Sequence, residues 1–164
     1  RGDCLRILFC KGVLGHLLGG VIHYLLWHDG VGVHQSTSPE ARLGALFQAV
    51  QKEYVRQNSS TRITNLRMSM LWDIKNPHKT FATWDLKAAE TKHFLHAFIP
   101  VAKELLTMDL LEEKAMLQAL DTISRIIKLY DDADAFLTEA EWLKVMGLSE
   151  KFQDRYACLS SWAL

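Results

Sequence analysis

Glu90, His93 and His96 set a carboxylate and two imidazoles at helical spacing, so positions 90 and 93 share a helix face. A Glu-x-x-His step is the ligand pattern of di-iron bundles, which require a second copy and two further glutamates from other helices. No second copy occurs in the chain, so a solvated or locally bonded helix face is the favoured reading of the three residues. His16 and His23 are seven apart and also share a helix face, either as metal or substrate contacts or as histidines satisfied inside a core. His28 and His34 flank a glycine-rich turn and point to no single role. Asp131, Asp132 and Asp134 begin like a calcium loop. Phe136 and Trp142, however, stand where that loop needs its sixth-position Gly and twelfth-position Glu, so the run reads as a solvated linker.

Other chemistries lack their residues. There is no G-x-S-x-G elbow, no phosphate-cradling G-x-x-x-x-G-K-[ST] loop and no H-E-x-x-H helix. Cys4, Cys10 and Cys158 are odd in number and scattered, which suits reduced thiols and an intracellular setting rather than a disulfide or zinc framework. Lys plus Arg and Asp plus Glu number 19 each. A free-standing nucleic-acid binder draws on a basic excess, so DNA chemistry here would need its grip from elsewhere in the protein.

The elements that must carry these residues are helical. With 164 residues, 49% hydrophobic and 23% charged, the chain suits one domain with a buried core. Residues 12–27 are the most apolar stretch. They are too few for a membrane span, which needs roughly 20, and contain two histidines, so a buried core helix is expected. Gly12, Gly15 and Gly19 thin one side of it enough for another backbone to approach. Ser38, Pro39 and Glu40 announce a second helix through cap, first-turn proline and dipole-matched acid. Leu43, Leu46, Phe47, Val50 and Tyr54 form its apolar stripe, with Arg42 on the side expected to be solvated. Residues 64–72 alternate as in a short strand, or begin a helix. Asp85 can cap a third helix over about 86–106, with a kink or break expected at Pro100. A fourth helix runs from Leu111 or Glu112 to Tyr130. The capping box Thr138-x-x-Glu141 opens a fifth, anchored by Trp142, Val145, Phe152, Tyr156 and Leu159, with Gly147 as a point where it could bend.

Two patches resemble a known family. Gly2-Asp3-Cys4-Leu5 through Lys11-Gly12-Val13-Leu14-Gly15-His16-Leu17-Leu18-Gly19 looks like a segment of transposase-like proteins of the CACTA type, and is similar to multicopy proteins of dinoflagellate algae. Trp84-Asp85-Leu86-Lys87-Ala88-Ala89-Glu90-Thr91-Lys92-His93-Phe94-Leu95 resembles the transposase segment L-K-A-S-E-W-R-N-F-L. The resemblance implies an RNase H-like nuclease of the DDE type, whose three acids hold two divalent metals for DNA cleavage and strand transfer. Asp3 then matches the second acid and Glu90 the third, as catalytic and metal-binding residues for magnesium or manganese. The first acid and most of the central sheet would lie upstream of Arg1. Lys87 and Lys92 become candidate contacts to DNA phosphates. Arg6 replaces the family's histidine, Thr91 its aromatic and Lys92 its arginine, which suggests drift.

The expected fold is mainly α, about five helices over 1–164 in a single helical domain or fragment, as the C-terminal helical part of a truncated RNase H-like core. Three functions stay open. The first is a fragment of a DDE-type transposase, with DNA as partner and a nuclear location, inactive as this segment. The second is a non-catalytic helical interaction domain, with residues 12–27 against a partner helix or a missing N-terminal region. The third is a metal-binding bundle on Glu90, His93 and His96. No membrane partner is expected.

Overall fold

The computed structural model describes residues 12–28, 38–71, 86–133 and 136–162. Among them the chain is mainly helical, with six helices and no strand: α1 Leu14–Trp27, α2 Pro39–Arg56, α3 Met68–Leu71, α4 Ala88–Leu105, α5 Leu111–Asp132 and α6 Glu139–Trp162. The chain divides into two compact units, Arg1–Leu106 and Thr107–Leu164.

In the first unit α1 packs on α2 and α4, and α2 on α4. Leu14, Leu18 and Ile22 of α1, Leu46 and Val50 of α2, and Phe94, Leu95 and Phe98 of α4 are all at most 1% exposed. Burying a side chain of this size contributes about 1.5–3 kcal/mol. That outweighs the poor helix propensity of the glycines in α1, of which Gly15 and Gly19 lie buried. Among the described residues no helix is long and apolar enough to cross a membrane.

Local chemistry starts and stops α2 as its residues dictate. The Ser38 hydroxyl accepts the Ala41 N–H at 3.2 Å with Pro39 in the first turn. At the other end Asn58 adopts φ 49°. Its N–H bonds the Val55 carbonyl at 3.1 Å, and the Ser59 N–H bonds the Tyr54 carbonyl at 3.0 Å. Those two bonds are a Schellman ending, with asparagine in the left-handed position usually held by glycine. Arg42 does not sit on a purely solvated face. Its Nη1 donates to the Leu26 carbonyl at 2.8 Å, one of the last carbonyls of α1, which the helix itself leaves unpaired.

Pro100 neither breaks nor ends α4, which runs from Ala88 to Leu105 around it. The proline removes the N–H that would reach the His96 carbonyl. Gln57 Nε2 donates to that same carbonyl at 3.1 Å. Of the two readings open for 64–72, no strand forms among the described residues: 62–67 are irregular and 68–71 form a single helical turn. Ile63, Leu66 and Leu71 are the buried residues there, a spacing that follows no alternation. Asp85 and Trp72 lie outside the described residues.

In the second unit α5 and α6 pack against each other. Leu120, Ile123, Ile126 and Ile127 of α5 and Val145 and Phe152 of α6 supply the core. The Thr138–Glu141 box forms as expected. The Glu141 carboxylate accepts the Thr138 N–H at 2.8 Å, and the Thr138 hydroxyl accepts the Glu141 N–H at 3.3 Å. The Thr138 hydroxyl, donating to that carboxylate at 2.7 Å, and the Thr138 N–H hold the Glu141 carboxyl below its ordinary pKa. Glu113 is fully buried at the start of α5, where its carboxylate accepts the Thr107 N–H. Gly147 leaves α6 continuous. Trp142 is half exposed rather than anchored.

Candidate functional site

Glu90 stands in the first turn of α4. Its Oε2 accepts the Lys87 N–H at 3.0 Å, and the Thr91 hydroxyl donates back to the Lys87 carbonyl at 3.1 Å. An ammonium cannot accept a hydrogen bond, so Lys87 caps through its backbone only and Glu90 supplies the reciprocal half of a capping box. Negative charge is favoured at this end of a helix dipole. The carboxylate therefore has a folding role whatever else it does.

Glu90 also lines a cleft of about 410 Å³. Its other wall is the chain that follows the Schellman turn of α2. Arg62, Asn65, Arg67 and Ser69 of that segment line the cleft with Glu90. Arg62 is fixed by Nε donating to the Ser59 carbonyl at 2.9 Å. Tyr54, 1% exposed, lies near both walls. Burial pushes its phenol up to about 12; the Ile63 backbone opposes the shift and the Glu90 carboxylate adds to it. The Ile63 backbone approaches the hydroxyl without reaching hydrogen-bond geometry, and among the described residues the hydroxyl has no partner.

Of the residues singled out from sequence, Glu90 alone lines this cleft. Asp3 lies outside the described residues, so its pairing with Glu90 has no geometry. Lys87 sits exposed at the helix start. Lys92 is two residues past Glu90 and hence about 200° around the helix, so the two lysines do not flank one groove with Glu90. His93 and His96 are half-buried on α4, His16 is exposed on α1, and His23 is half-buried. His23 stacks on Trp27 with ring centroids 4.7 Å apart, and burial lowers its pKa. No group of three or more His, Cys, Asp or Glu side chains that could hold a metal occurs among the described residues. One carboxylate facing two guanidiniums is a donor set that repels a divalent cation, so the described residues of the cleft do not by themselves fit magnesium or manganese.

Periodicity does not single out Arg62 and Arg67. The usable signal is two arginines in a non-periodic connection between helices, where binding residues concentrate. Net charge also conceals its own distribution. Residues 1–106 carry 13 Lys and Arg against 8 Asp and Glu, and 107–164 carry 6 against 11. The neutral total hides a unit of about +5 and a unit of about −5. No family model, no curated protein and no solved structure matches the chain.

Proposed function

We propose that the chain is a non-catalytic helical interaction domain. The observation that carries this reading is on α6, where Trp142, Leu143 and Met146 are 50%, 64% and 43% exposed within little more than one helical turn. Large apolar side chains grouped in water mark surfaces that a partner covers. At the cleft, the Glu90 carboxylate is already occupied in capping α4. Replacing Trp142, Leu143 and Met146 together by glutamine tests the proposal in the full chain. The variant should melt within about 0.5 kcal/mol per substitution of the parent, as surface changes do, and lose binding of a fluorescent hydrophobic dye. A loss of several kcal/mol would place these side chains in the core and overturn the reading.

A second reading keeps the transposase resemblance. It is favoured by Glu90 lying beside Arg62 and Arg67 in the basic unit, a setting suited to phosphate. In a longer chain containing the upstream acid, strand cleavage should be lost in both Asp3→Ala and Glu90→Ala. Cleavage that persisted in both variants would remove it. A metal-binding bundle on Glu90, His93 and His96 gains no support from the geometry.

A further inference from the structure

The antiparallel pair α5–α6 encloses a groove of about 520 Å³ on one flank. Its floor is apolar: Leu129 of α5 and Leu143 and Leu148 of α6, with Gly147 between them. A Cβ built on Gly147 meets nothing within 4 Å, so bare backbone leaves room where any other residue would begin to fill the groove. The rim is basic. Arg125 and Lys128 stand on the α5 side and Lys144 and Lys151 on the α6 side, against the single carboxylate of Asp132. Arg125 is engaged by Asp121 at 2.8 Å. The Lys144 charge acts on the Glu141 carboxylate, and among the described residues neither Lys128 nor Lys151 forms a salt bridge.

This concentration is selective. The unit carries only 6 Lys and Arg against 11 Asp and Glu, yet four of those six cations line one groove. We infer that the groove receives an amphipathic helix of a partner, presenting apolar residues at i, i+3 or i+4, and i+7, with Asp and Glu on its flanks. The dimensions agree: positions 125–132 and 143–151 each run about two helical turns, which is the length that an i to i+7 anchor set occupies. The apolar floor supplies affinity, and the cations on both sides fix orientation and reject basic helices. An anionic bilayer fits less well, because the site is concave and the rest of the unit is acidic. This inference rests on the interaction-domain reading and names its partner class.

The test uses the full chain and a labelled 15-residue probe with leucines at i, i+3 and i+7 between glutamates, read by fluorescence anisotropy. Two control probes replace the glutamates by lysine or the leucines by glycine. The acidic probe should bind and both controls should not. Lys128→Glu with Lys144→Glu should weaken binding by about tenfold or more, and raising salt should weaken it as well. Gly147→Leu fills the groove from a helical position and should abolish binding while the melting temperature holds or rises, so binding abolished there is not unfolding. Equal binding of the lysine probe, or indifference to Gly147→Leu, overturns the inference. So does binding to phosphatidylglycerol vesicles in place of the probe, or dimerisation in sedimentation that Gly147→Leu abolishes. The glutamine triple variant decides the underlying reading separately: if it behaves as expected while the acidic probe does not bind, only the partner class is wrong.

Discussion

At the residue scale, two buried polar side chains meet opposite fates. Glu113 is buried in the first turn of α5, where its carboxylate accepts the Thr107 N–H. Tyr54 buries a hydroxyl with no partner among the described residues, which leaves a desolvation cost in the fold. Tyr54→Phe is therefore expected to stabilise the chain by about 1 kcal/mol at neutral pH. The pH dependence follows from the phenol being raised to about 12 from an ordinary 10.0. Below the unfolded value both states hold the proton and nothing changes. Between 10 and 12 only the unfolded chain gives it up, so stability falls as pH rises through that window. Urea unfolding at several alkaline pH values should show this fall in the parent and less of it in Tyr54→Phe. A variant destabilised at pH 7 would mean that the hydroxyl is bonded after all. Glu90 shows how much of the site is legible in advance. Its type and helical position can be read, because an acid three residues after a helix start is a local signal. Its cleft cannot, because Arg62 and Arg67 arrive on irregular chain that follows no period.

At the scale of elements, starts are legible and interruptions are not. Ser38 with Pro39 and Thr138 with Glu141 act on backbone within three residues, so their chemistry is visible in one dimension. Pro100 reads as an interruption because the partner that rescues its helix, Gln57, lies 39 positions from the His96 carbonyl it serves. Arg42 reads as solvated for the same reason, its acceptor belonging to α1. Alternation at 64–72 suggests a strand, but a strand needs a neighbour to pair with, and among the described residues none exists. The Gln57–Pro100 relation is open to a double-mutant cycle. Gln57→Ala alone should cost about 0.5–1.5 kcal/mol, the net worth of one hydrogen bond. Pro100→Ala restores an N–H for the His96 carbonyl, so in that background Gln57→Ala should cost less, losing only its bond to the Glu53 carboxylate. Thermal melts of the four proteins give the coupling, and simple additivity would show that the glutamine does not compensate the proline.

For the whole molecule, the separation of charge alters what neutrality excludes. A zero total argues against nucleic-acid affinity only if the charges are mixed, and here about five excess positive charges fall in 1–106 and five negative in 107–164. All seven histidines also belong to 1–106. Burial lowers the pKa of His23, so it resists protonation. If the basic unit meets phosphate through the Arg62–Arg67 cleft, the full chain should bind duplex DNA weakly at low salt. That binding should weaken steeply with salt, since phosphate neutralisation acts through counterion release. Arg62→Ala with Arg67→Ala should reduce the slope of log affinity against log salt by up to about 1.8, roughly 0.9 for each phosphate no longer neutralised. Charge reversals at Lys128 and Lys144, in the acidic unit, should leave it unchanged. The two sets of variants thus separate the surfaces: one answers to polyanion, the other to an acidic helix. A DNA affinity that moved with Lys128 and Lys144 rather than with Arg62 and Arg67 would reverse that assignment.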